Sequence, residues 1–202
     1  MSRVFLLSPA STSGRRAQFL FNERAEFPLA LQLRRKRGAT LGEVFSFLSG
    51  LYFRGKLAYV RAFAEPSRSV QPALVITPDR GLVSPETRVT LADLRAFATS
   101  PIDTTNPAYR EPLLRDAEAL AEGRGGAPDV ILLGSIASGK YVDVLLSVFG
   151  KRLLFPQEFV GRGDMSRGGL MLRCVDASTE LTYVPVAGAV RRGARPPKLS
   201  PR

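Results

Sequence analysis

Residues 129–146 read DVILLGSIASGKYVDVLL, and the fold turns on how the break in the middle is read. An apolar run stops at Gly134, a short polar loop follows, and apolar residues resume at helical spacing from Tyr141. A buried strand feeding a helix through a glycine turn is the repeating unit of a parallel α/β sheet. The same loop spells G-x-x-x-x-G-K, most of a phosphate-binding P-loop, with Tyr141 where Ser or Thr belongs. In a working P-loop that hydroxyl holds Mg²⁺ and a later strand supplies an Asp. Tyr141 cannot place a small hydroxyl on a metal, and Leu153-Leu154-Phe155 runs into Pro156-Gln157 rather than an acid. Nucleotide hydrolysis is therefore not expected. A helix N-terminus with Ser135, Ser138 and Lys140 beside free amides remains, either as an anion cradle or as a plain strand-to-helix turn.

Working outward, residues 4–7, 73–77 and 152–155 read as further short buried strands, each followed by turn residues. Thr40-Leu41-Gly42-Glu43 and Thr90-Leu91-Ala92-Asp93 cap helices, and Asn106-Pro107 or Glu111-Pro112 opens another. Gly50 and Gly55 suggest two helices rather than one over residues 41–64. Leu29, Leu31 and Leu33 alternate with Ala30, Gln32 and Arg34, so residues 17–22 and 29–34 are read as a β-hairpin ending in Arg34-Arg35-Lys36-Arg37. Residues 170–175 and 181–186 alternate in the same way and predict an antiparallel hairpin near the C-terminus. The expectation is a layered α/β domain over residues 1–188, with a mostly parallel sheet and flanking helices. The basic hairpin is inserted at about residues 11–39, and an Arg/Pro-rich tail at 189–202 is expected to be disordered.

Composition narrows the chemistry. The 202 residues contain no histidine and one cysteine, Cys174. That excludes Ser-His-Asp and Cys-His catalysis, zinc sites of the usual kinds, and an internal disulfide. Catalysis would have to use carboxylates, Lys, Arg, Tyr, hydroxyls, a carboxylate-bound metal or backbone amides. No metal site or cofactor is identified. No apolar stretch is long enough to span a bilayer, and the apolar N-terminal run is too short for a signal-peptide core, so a cytoplasmic location is expected.

The formal charge of +11 is unevenly spread. Residues 1–61 hold eleven bases and three acids, net +8; residues 62–186 hold thirteen and fifteen, net −2; residues 187–202 hold five bases and no acid. A near-neutral body with basic arms points to a polyanionic partner, nucleic acid first and an acidic protein second. The expected phosphate contacts are Arg34, Arg35, Lys36 and Arg37, the tail bases Arg191 and Arg192, and Arg162 and Arg167 in a Gly-rich stretch, residues 160–169. In open parallel sheets ligands sit at the carboxyl ends of strands. Asp79 and Asp164 follow such ends and are the carboxylates nominated for acid–base work.

VFLLSPAS at the start of the chain resembles the opening of the bacterial peroxide-stress, DNA-binding α/β family. ITPDRGLVSP and LLGSIASGKY resemble segments of related uncharacterised bacterial α/β proteins. The resemblance implies nucleic-acid association and carries no catalytic residues with it. The function expected is thus nucleic-acid binding through basic arms, with processing of a nucleic acid or nucleotide left open. The alternatives are an enzyme acting on a phosphorylated small molecule at the strand ends, and a non-catalytic partner of an acidic protein.

Overall fold

The computed structural model of the chain describes residues 3–65, 71–123 and 128–199. Four strands run parallel: β1 (Arg3–Leu7), β3 (Ala73–Ile76), β6 (Asp129–Leu133) and β7 (Leu153–Pro156), in the spatial order β3-β1-β6-β7. Two antiparallel edges complete the sheet, β4 (Leu82–Val83) on β3 and β8 (Tyr183–Pro185) on β7. A separate two-stranded ladder joins β2 (Ala39–Thr40) to β5 (Arg88–Val89).

The apolar strand runs have a simple cause. Phe5 and Leu7 enter one core and Val4 and Leu6 the other, so both faces of the central strands are covered. On the Phe5 side lie α3 (Leu41–Ser49), α4 (Leu51–Phe63), α5 (Leu91–Thr99) and α8 (Asp164–Asp176). On the Val4 side lie α6 (Pro107–Ala121) and α7 (Gly139–Phe149). Both Thr capping boxes form, at α3 with Glu43 and at α5 with Asp93. Gly50, at φ 58°, separates α3 from α4. Among the described residues no helix is long and apolar enough to cross a membrane.

From β1 the chain reaches β3 on one side, then crosses over β1 to place β6 on the other. The sheet therefore reverses winding between β1 and β6, and a crevice opens beyond their carboxyl ends. Helices α4 and α8 wall it from one side. They cross at paired glycines: a Cβ on Gly55 would stand 2.7 Å from the Gly168 carbonyl oxygen.

Two expected hairpins are corrected. The two segments read as strands are helical, as α1 (Arg15–Phe21) and α2 (Pro28–Arg34). The buried positions are Ala17 and Leu20, then Ala30 and Leu33, each three apart, while Leu31 is 41% exposed. Alternating leucines thus masked a one-sided helix opened by Pro28. The C-terminal hairpin is also absent. Residues 170–175 belong to α8, which buries Arg167, Gly168 and Met171 at three- to four-residue spacing. Only β8 is extended, and it pairs with β7 instead. Of the tail expected to be disordered, residues 189–199 carry no helix or strand yet lie along the body. A Cβ on Gly161 would stand 2.0 Å from the Ala194 carbonyl oxygen. Residues 200–202 lie outside the described residues.

Candidate functional site

Beyond the carboxyl ends of β1, β3 and β6 lies an open cavity of about 710 Å³. The turn after β1 contributes Ser8 to Ser13, the turn after β3 contributes Pro78, and the loop after β6 contributes Ser135 and Ser138. The α4 helix adds Tyr52, α7 adds Lys140 and Tyr141, and α8 adds Asp164. Its size and hydroxyl-rich lining suit a polar ligand about as large as a nucleoside.

The most unusual group lies in the cavity wall. Lys56, on α4, is fully buried. Its Nζ donates to the Ser8 carbonyl oxygen at 2.8 Å and to Ser8 Oγ at 2.6 Å. The ammonium also sits over the Tyr52 ring, 3.9 Å from its centroid, and 5.4 Å from that of Phe53. Burial pulls its pKa down to about 7; Asp164 opposes the fall and Arg167 adds to it. Near neutral pH the amine is therefore available as a proton acceptor.

Ser8 is the hub of this wall. Its Oγ lies 3.4 Å from the Leu133 carbonyl oxygen. The Tyr141 hydroxyl shares hydrogen bonds with the Ser8 side chain and the Ser135 backbone, and burial raises the Tyr141 pKa, which keeps the phenol neutral. Gly134 makes this approach possible: a Cβ there would come 2.9 Å from Ser8 Cβ and 3.1 Å from the Tyr141 hydroxyl. The near-P-loop thus has a local reason. Its first glycine lets β6 sit against Ser8, and the tyrosine in place of Ser or Thr reaches back to that serine. Lys140 is exposed on the rim. The buried Tyr52 hydroxyl lies beside the Arg167 guanidinium, and burial raises its pKa against the opposing Arg167 charge.

The sequence-nominated residues divide into three groups. Ser135, Ser138, Lys140 and Asp164 meet at the cavity. Asp79 does not; it turns to Arg80 at 3.4 Å, and burial raises its pKa. The Gly/Arg stretch is largely wound into the start of α8, with its guanidinium groups engaged inside the protein. Arg167 is 8% exposed and gives two hydrogen bonds to the Phe159 carbonyl oxygen, both 3.2 Å, with Asp164 Oδ1 at 3.4 Å. Arg162 donates to the Glu158 carbonyl oxygen and to Ser166.

The third group is outward-facing. Arg34 donates to the Asn22 carbonyl oxygen at 2.6 Å, and Arg35, Lys36 and Arg37 are exposed beyond it. Arg191 pairs with Asp143, and Arg192 is exposed. Among the described residues no three His, Cys, Asp or Glu side chains are placed to hold a metal ion.

Sequence reading placed Ser8 at a strand end but did not join Ser8, Tyr52 and Lys56 into one site. The signal was present: Tyr52, Lys56 and Tyr59 recur at i, i+4 and i+7, which puts a lysine on the buried stripe of α4. No family model, curated protein or solved structure matches this chain.

Proposed function

We propose that this chain is a nucleic-acid-associated protein that holds a polynucleotide by its basic arm and admits one nucleoside-sized unit into the strand-end cavity. The observation that carries this reading is continuity between the two. The turn from Ser8 to Ser13 lines the cavity and leads directly into α1 and α2. Residues 11–39 hold seven bases and two acids, net +5. Arg16 also reaches the other wall, donating to the Phe47 carbonyl oxygen at 2.9 Å, one residue before the cavity-lining Leu48 and Ser49.

Arg35, Lys36 and Arg37 are exposed, and among the described residues none of them pairs with a carboxylate. They are free to meet phosphates, whereas Arg162 and Arg167 are already engaged. Lys140 is the single base among the cavity-lining residues, beside two acids, Asp103 and Asp164. Phosphate contact is therefore assigned to the arm and not to the cavity.

The test is binding of a fluorescein-labelled oligonucleotide across a salt series. Affinity should fall steeply between 50 and 300 mM salt. Replacing Arg35, Lys36 and Arg37 together by Ala should flatten the slope of log K against log salt by about 2 to 3. Salt-independent binding, or an unchanged slope in the triple variant, would sink the proposal. A pull-down that survives nuclease would point to an acidic protein partner instead.

A further inference from the structure

We propose that Ser8 is a nucleophile and Lys56 its base, so that the cavity carries out acyl transfer through a covalent acyl-serine. This inference stands on the cavity wall alone and does not depend on what the basic arm binds.

Three observations carry it. First, Nζ and Oγ are 2.6 Å apart, within reach of direct proton transfer, and Ser8 lines the cavity while Lys56 lies wholly behind it. Ligand would meet the hydroxyl before the amine. Second, among the described residues no carboxylate lies within ion-pairing distance of Lys56, and its close neighbours are aromatic rings. A bridge needed only for stability gains nothing from a buried ammonium without a counter-charge. Third, beside the Tyr141 hydroxyl, Ser8 has two partners between which its hydroxyl proton can turn as Lys56 changes charge. With Lys56 charged, the hydroxyl points toward the Leu133 carbonyl oxygen; with Lys56 neutral, the amine lone pair accepts the proton and one N–H still holds the Ser8 carbonyl.

The groups facing Lys56 are Tyr52 and Phe53 on its own helix and Asp164 and Arg167 from α8; Tyr141, from α7, faces Ser8. Both tyrosines stay neutral because burial raises their pKa values. Of the charged groups, Asp164 favours the ammonium and Arg167 works against it, with burial the largest effect lowering the pKa.

The step balances. The Ser8 hydroxyl gives its proton to Lys56 Nζ as Oγ bonds to the substrate carbonyl carbon. The tetrahedral adduct then expels its leaving group, which takes that proton from the Lys56 ammonium. Water, deprotonated by Lys56 in turn, adds to the ester carbonyl, and the Lys56 ammonium returns that proton to Ser8 Oγ as it leaves, restoring the hydroxyl and the neutral amine. A carbonyl centre fits better than a phosphoryl one, because phosphoryl transfer needs a cationic clamp. The lining offers only Lys140, on the rim.

The experiment treats the full chain with a fluorophosphonate probe and with p-nitrophenyl acetate, followed by intact mass and peptide mapping. One adduct on Ser8 is expected, absent from Ser8→Ala and slowed at least tenfold in Lys56→Met. Its rate should rise with pH through a midpoint near 7. Because Lys56→Met could unfold, a second variant, Ser8→Cys in a Cys174→Ser background, is alkylated with iodoacetamide. A thiol beside Lys56 should react with a midpoint well below the ordinary value of about 8.5. Labelling elsewhere only, equal labelling of Ser8→Ala, no labelling of the folded chain between pH 6 and 9, or an ordinary thiol midpoint would each overturn the proposal. Failure here with intact salt-dependent oligonucleotide binding would leave the arm's role standing.

Discussion

Gly168 of α8 lies directly against Leu51 of α4: a methyl group at Gly168 would come within 2.6 Å of the Leu51 carbonyl oxygen. With Gly55 facing the same crossing, the two helix backbones touch without side chains between them. The residues beside these glycines, Lys56 and Arg167, are both buried charged groups. The crossing is what brings them to the cavity wall. Gly168→Ala is expected to destabilise the chain by about 1–3 kcal/mol, because the opposing atoms are backbone and cannot swing aside. A thermal or urea melt checks this.

Lys56 gives the molecule a pH signature. Its folded pKa of about 7 lies below the value of 10.5 for an exposed lysine. Between those limits the unfolded chain binds the proton and the folded one does not, so stability rises with pH through that window. Below pH 7 both states are protonated and the rise stops. Wild-type protein should therefore gain stability from pH 7 to 9, by an amount on the order of a few kcal/mol. Lys56→Met should remove that gain, which paired denaturant melts at the two pH values would read.

Tyr59 links α4 to the edge of the sheet. Its hydroxyl lies 2.5 Å from that of Tyr183 and accepts from the Leu181 amide at 2.9 Å. Burial raises its pKa to about 12. Tyr59→Phe leaves the Leu181 amide without its partner and should cost about 1–3 kcal/mol, the penalty for an unmet buried donor. Tyr183→Phe keeps that amide satisfied and should cost less. Comparing the two melts separates the amide bond from the hydroxyl pair.

The capping boxes offer a milder check. Thr40 and Thr90 each accept from the backbone amide three residues on, at 3.2 and 3.3 Å. Thr40→Ala and Thr90→Ala should each lower stability by about 0.5–2 kcal/mol and leave oligonucleotide binding unchanged.

The parallel sheet was legible because its strands are covered on both faces, and double burial writes itself as an uninterrupted apolar run. Strand polarity followed, and with it the shared rim at which Ser135, Lys140 and Asp164 meet. The two misread hairpins failed for one reason. Leu29, Leu31 and Leu33 alternate, yet only Leu33 and Ala30 are buried, and alternation of residue type is not alternation of burial. The same holds at Leu170, Leu172 and Cys174, where Met171 is the fully buried residue. Lys56 was hidden differently. A lysine in YFRGK reads as surface charge unless its neighbours at 52 and 59 are placed on the same helical stripe. Ser8 looked like the end of a strand because nothing in its own neighbourhood names a base 48 residues away.

The margins of the sheet set how this chain can meet copies of itself. β4 is two residues long and β8 is three and ends in Pro185, and both run against the direction of the strands they border. Neither offers a row of vacant amides long enough to template an incoming strand. Growth by ladder extension is therefore closed at both borders of this six-stranded sheet.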